Sequence, residues 1–266
     1  MEQGQLKKLK VWFEQYVAGF YGDDDYVNAN LKLKEDHTHR TCDQIRYLAD
    51  HLSLSDNQKR IAETIALFHD IGRFEQFKKY RTYNDPRSTN HCLLGLDVLK
   101  ETDVLNEIDK KERDLIEKAI RFHGQKQLPD DLDGQCLLFS RLIRDADKLD
   151  VYYIVTQYYK QYQKDPRNFA IELELPDQPR YSPQVVDAIL QGRLIDYNSL
   201  KTLNDMKLLQ LGWVYDVNFT AALRRIKQRQ FLEKLLDFLP KTQDIENVKE
   251  KIFAYVDFRI RQEPQK

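Results

Sequence analysis

Apolar residues recur at intervals of three and four along this 266-residue chain, and just nine glycines and eight prolines interrupt them. An α-helix needs that period to gather its apolar side chains on one face, whereas a half-buried strand alternates every two residues. The chain is therefore expected to be all-α. The stretch "QLKKLKVWFEQYVAGFYG" puts Leu6, Leu9, Phe13, Tyr16, Val17 and Phe20 on one face and stops near Gly22, and the "DDD" after it supplies a turn and a cap. A second helix is expected from about Asn28 to His51. Ser55 followed by Gln58 is a capping box opening a helix that ends at His69 and Asp70, with Gly72 as its stop.

The segment "KYRTYNDPRST" reads as a loop, and Thr89 or Asn90 opens a helix carrying His91. A helix from about Lys110 reaches His123 and Gly124. After the turn-rich "GQKQLPDDLDG" a long helix passes through Asp147 towards Lys164. Four further helices are expected, at 183–191, 197–215, 218–239 and 244–261, and "FAIELEL" is the one stretch with an extended pattern.

Charge and cysteine content exclude several classes. Lys plus Arg number 42 against 43 Asp plus Glu, for a net charge of -1, so no global basic field supports nucleic-acid binding. No apolar run reaches the roughly twenty residues of a membrane span, and "MEQGQLKKLK" lacks the apolar stretch of a signal peptide, so a cytoplasmic protein is expected. Cys42, Cys92 and Cys136 are odd in number, widely spaced and set among apolar residues, the pattern of buried thiols rather than of a disulfide framework.

The chemistry-bearing residues lie in separate helices: His37 in "KEDHTHRT", His69 and Asp70 in "LFHDIGRF", and Asp147 in "IRDADKLD". Two imidazoles and two carboxylates form a mixed nitrogen and oxygen set suited to octahedral first-row divalent cations rather than to a closed tetrahedral zinc site. His91 in "STNHCLLGLDVL" and His123 in "AIRFHGQK" fall between the pair and the last Asp. His39 and His51 match no such pattern.

In the order and surroundings of these residues the chain resembles the HD-domain metal-dependent phosphohydrolase superfamily, whose pattern is a His, then a His-Asp pair, then a distant Asp on helices. The resemblance implies one or two divalent metal ions, Mn, Fe, Mg, Co or Ni, held by His37, His69, Asp70 and Asp147. Similarity to binuclear members implies that Asp70 bridges to a second ion on His91 and His123; with one ion, those histidines would face the phosphate oxygens of a substrate.

Arg73 follows Asp70 by three positions and reads as a phosphate clamp, set against a surface ion pair with Glu75 or Asp70. Lys34 and Lys148 are positive groups beside the ligands, read as salt-bridge partners or substrate contacts. Trp213, Tyr215, Asp216, Asn218 and Phe219 in "LGWVYDVNF" either stack a nucleobase or pack as core.

No repeat or flexible linker divides the sequence. It is expected to form a single HD-type helical domain over 1–266, with a metal-binding core at about 26–164 and additional C-terminal helices at about 165–266 packed on it. The expected activity is hydrolysis of a phosphate ester of a small molecule, with a nucleotide first, by metal-activated water. A small phosphorylated substrate is the expected partner, with neither nucleic acid nor membrane. The alternatives are a regulatory HD domain without catalysis and a di-iron oxygenase-like relative. HD-GYP phosphodiesterases are set aside, because the chain has Arg73 where they carry Lys, a lone His123 where they carry paired His, and no Gly-Tyr-Pro element.

Overall fold

The computed structural model describes residues 1–132, 134–165 and 175–262. The described residues contain helices and connecting turns without a strand, as the apolar period requires. "FAIELEL" lies almost wholly outside them. None of the described helices is long and apolar enough to cross a membrane. Two compact units are present, Met1–Asp150 and Val151–Lys266.

The first unit is built around one buried helix. Its elements are α1 (Gln3–Ala18), α2 (Asp25–His51), α3 (Asp56–Phe68), α4 (Gly72–Tyr80), α5 (His91–Glu101), α6 (Lys110–His123) and the start of α7 (Gly134–Lys164). Every residue of α3 from Ile61 to Phe68 is buried, because α1, α2 and α6 pack around it. Ala62 and Ala66 keep the helix thin enough to be enclosed on several sides. The caps are those the sequence encodes: Ser55 and Gln58 form the capping box of α3, and Asp24 accepts from the Val27 amide at the start of α2. Leu6, Leu9, Phe13 and Val17 of α1 are buried, and Phe13 and Phe20 meet Phe74 of α4. α1 is thus part of the same core as the helices from residue 25 onward. Each of these large side chains contributes about 1.5–3 kcal/mol by leaving water.

Gly72 has a different role from the expected stop. α3 ends at Phe68, the chain turns through His69, Asp70 and Ile71, and Gly72 opens α4. A Cβ at Gly72 would lie 2.4 Å from the carbonyl oxygen of His91 and 2.5 Å from the amide nitrogen of Gly95. Glycine is needed there because two backbones meet, and that contact sets α5 beside the turn.

The second unit holds the rest of α7, with α8 (Pro183–Leu190), α9 (Leu203–Gly212), α10 (Thr220–Gln228), α11 (Phe231–Asp237) and α12 (Gln243–Gln262). Two expected helices are broken here. The 197–215 segment divides into a short 3-10 turn, α9 and a second 3-10 turn, because Thr202 and Asp205 form a capping box that starts α9 afresh. The 218–239 segment breaks at Gln230, whose φ of 54° is left-handed. In this unit Tyr152 stacks on Phe231 and meets Trp213 edge-on, and the Tyr215 hydroxyl donates to the Ile189 carbonyl. Trp213 and Tyr215 are half-buried and pack against these neighbours, which favours the packing reading over base stacking.

Candidate metal centre

Three elements of the first unit bring the polar residues of the sequence pattern together. His37 lies in the middle of α2, His69 and Asp70 in the turn after α3, and Asp147 on α7. His37, His69 and Asp70 are buried, while the Asp147 side chain is 29% exposed and forms the open side. The His37 Nε2 atom lies 3.2 Å from His69 Nε2, 3.2 Å from Asp147 Oδ1 and 3.6 Å from Asp70 Oδ2. His69 Nε2 lies 3.8 Å from Asp70 Oδ2 and 3.9 Å from Asp147 Oδ1.

His91, the first residue of α5, and His123, the last of α6, converge on the other oxygen of Asp70. His91 Nε2 is 3.5 Å and His123 Nε2 3.7 Å from Asp70 Oδ1, and the two nitrogens are 3.1 Å apart. All six residues of the expected ligand set therefore meet at one place, with Asp70 in the middle. Donors about 2.1 Å from a cation sit about 3.0 Å apart in an octahedral shell and about 3.4 Å apart in a tetrahedral one, so the spacing in both halves suits a divalent ion.

Hydrogen bonding on the far sides of the rings makes the fit sharper. The Nδ1 atoms of His69 and His123 lie 2.8 and 2.7 Å from the carbonyls of Ala66 and Ile120, three residues back. A carbonyl only accepts, so those nitrogens carry protons. His37 Nδ1 lies 2.7 Å from Asp150 Oδ2 and His91 Nδ1 2.6 Å from Asp85 Oδ2, which sets the same tautomer. In the neutral form each Nε2 thus offers a lone pair to its partner's lone pair at 3.1–3.2 Å, which is repulsive unless a positive charge sits between them.

In the metal-free protein protons supply part of that charge. Burial pushes the His123 imidazolium down, but Cys92 and Asp70 outweigh it and raise its pKa to about 10. Burial and Lys34 likewise oppose protonation of His37, yet its bonds to Asp147 and Asp150 raise it. For His69 burial wins over its neighbouring carboxylates and lowers the pKa to about 4. Asp70 and Asp147 stay well below the usual carboxylate range, because the cations and histidines around them overcome burial. The Cys92 thiol is 3.4 Å from His91 Nε2 and 3.5 Å from His123 Nδ1, and these contacts overcome burial to lower it to about 6.

The cations near the cluster are placed differently from one another. Lys34, three residues before His37, holds Asp70 Oδ2 at 2.7 Å and lies over the Tyr83 ring. Arg73 brings Nε to 3.5 Å from Asp70 Oδ1, but its Nη1 donates to Gln76, to the Tyr83 carbonyl and to Asp85 Oδ1. Its guanidinium braces the loop between α4 and α5, and of the two ion-pair partners the sequence offers, Glu75 and Asp70, it faces Asp70, in a largely buried setting rather than at the surface. Lys148 is half-buried beside Asp147 on α7. From the same helix Arg144 donates to the carbonyls of His123 and Gln125 at the end of α6, which fixes the helix terminus that presents His123. Cys42, Cys92 and Cys136 are all buried, and none is in a disulfide.

Sequence reasoning missed Asp150 and Asp85. Arg40 holds Asp150 through Nε at 2.6 Å, and Asp150 in turn orients His37. Spacing could have revealed it, since Asp150 follows Asp147 by one helical turn and Arg40 follows His37 by one turn. Asp85 lies in a loop, where spacing carries no such signal.

Residues 35–152 match the family model of the HD domain, spanning all six residues of the cluster. Over that segment the chain is similar to the HD domain. One relative is the CRISPR system single-strand-specific deoxyribonuclease Cas10/Csm1 (subtype III-A) of Methanocaldococcus jannaschii, 38% identical over 72 residues. That match covers 26% of this chain and 8% of the relative, so it speaks for a shared segment and not for the whole protein. No solved structure matches. An HD domain points to metal-dependent hydrolysis, and the His and Asp cluster is one that could hold the metal.

Proposed function

We propose that this protein is a metal-dependent phosphohydrolase that cleaves a phosphate ester of a small phosphorylated molecule, with nucleotides the first class to test. One observation carries the reading: two pairs of imidazole nitrogens face each other at 3.1–3.2 Å with Asp70 offering one oxygen to each pair. His37, His69, Asp70 and Asp147 would hold one divalent ion, and His91 and His123 with Asp70 a second. Such an ion acidifies water and neutralises charge developing on a phosphate, which are the two needs of ester hydrolysis.

The residues of the chain do the remaining work. Asp147, on the open side, is the ligand nearest an arriving substrate. Lys34 holds Asp70 in place and adds positive charge at the same edge, with Lys148 beside Asp147 as a further phosphate contact. The enclosing helices keep bulk water from the imidazoles, which strengthens each electrostatic contact. If one ion alone binds, His91 and His123 instead donate to phosphate oxygens.

The Cas10 relative favours a second reading, cleavage of a phosphodiester in single-stranded nucleic acid. The balanced charge of -1 places it behind the small-molecule reading. A screen of metal-stripped protein reloaded with Mn, Mg, Fe, Co or Ni tests both. Phosphorylated metabolites and a single-stranded oligonucleotide are assayed together. Phosphate release from a mononucleotide supports the first reading, and oligonucleotide cutting alone supports the second. Inactivity with every metal, or product formed solely in the presence of oxygen, overturns both.

A further inference from the structure

The two halves of the cluster are supported unequally. His37 and His69 sit in the middle of α2 and directly after the buried α3, whereas His91 is the first residue of α5 and depends on the loop before it. That loop is tied down at Asp85. Asp85 Oδ1 accepts from Arg73 Nη1 at 2.8 Å and from Gln76 Nε2 at 2.9 Å, and Oδ2 lies 2.6 Å from His91 Nδ1. Gln76 is fully buried and also donates to Ser88 Oγ and the Thr89 carbonyl, so the loop is laced to α4 at several points.

We propose that Asp85 is the positioning residue of the second metal position, held by Arg73 and Gln76 so that it fixes the His91 ring and raises its strength as a ligand. This rests on the reading of His91 and His123 as ligands of a second ion. A carboxylate on the far nitrogen of a metal-bound imidazole fixes its tautomer and increases its basicity, and loss of such a group typically costs about 10–100-fold in metal affinity. Arg73 acts through this carboxylate: it keeps Asp85 ionised and aimed at the ring. Arg73→Ala should therefore lower occupancy of the second position, where a phosphate clamp would leave the metal untouched.

The test is a Mn(II) titration of metal-stripped protein followed by electron paramagnetic resonance, which separates isolated ions from an exchange-coupled pair. Wild type should bind two equivalents, with coupling appearing on the second. Asp85→Ala should weaken the second equivalent about 10–100-fold and leave the first unchanged. Asp85→Asn keeps an oxygen for the Nδ1 proton without the charge and should fall between, which covers the case in which the alanine variant does not fold. An Asp85→Asn protein that binds both equivalents like wild type, or that loses both equally, overturns the assignment. Wild type that never takes a second equivalent instead overturns the two-ion reading, and this inference with it.

Discussion

The His37 and His69 half of the cluster and the His91 and His123 half use one design on two kinds of scaffold. Each pairs one imidazole steadied by a carboxylate, Asp150 or Asp85, with one steadied by the carbonyl three residues before it. His37 and Asp147 of the first half lie within helices and His69 in the turn after the buried α3, whereas His91 and His123 of the second are the first and last residues of their helices, His91 leaning on the loop before it. A site on regular elements is held closer to its working geometry than one on a loop. The imidazoles are supported alike in kind but not in firmness, and Asp147 belongs to the first half alone, so both differences point the same way and the first half should be the tighter.

Asp70→Ala should do the most damage, because Asp70 is the one residue that serves both halves. Metal analysis after dialysis should find neither ion, and hydrolysis should fall by about a thousandfold or more. Retention of even one stoichiometric ion would mean that the halves do not share this carboxylate. Asp150→Ala should weaken the first position by about 10–100-fold while sparing the second, read by calorimetric titration with Mn(II). If both positions weaken equally, Asp150 supports the helices rather than His37.

Gly72→Ala separates packing from ligation. The added Cβ meets backbone at 2.4 and 2.5 Å, so α5 must shift, and overpacking of this kind costs about 1–3 kcal/mol. The melting temperature should drop, and second-position affinity should fall more than the first, since the obstructing carbonyl belongs to His91. The smallest effect concerns protons. His123 is held protonated up to about pH 10 in the metal-free protein, and a ligand must be deprotonated, so metal uptake near pH 8 should release protons and tighten as pH rises. Titration in two buffers of different ionisation enthalpy measures the release, and none at all would show that the imidazoles are already neutral.

The helices and the six polar residues could be read from the sequence because both depend on local facts: an apolar period, a capping box, and side chains with lone pairs. Asp85 and Arg73 could not. Their pairing depends on where a loop folds back, and from spacing alone Arg73 read as a phosphate clamp or as an ion-pair partner of Glu75 or Asp70. The breaks at Thr202 and Gln230 were hidden by a continuous apolar pattern, which says which face is buried but not whether the helix is unbroken. Gly72 was legible as a special residue, but its reason, a neighbouring backbone, belongs to tertiary structure.

Asp70 presents Oδ2 to one half and Oδ1 to the other, so if each half holds an ion, as proposed, their occupancies would be thermodynamically linked. An ion arriving first fixes the carboxylate for the next one and also adds a charge that repels it. Whichever effect is larger, the factor by which the first ion alters the second's affinity equals the factor by which the second alters the first's. Under the two-ion reading, binding constants measured on this protein would belong to the pair, and a chelator should strip the two ions in unequal steps.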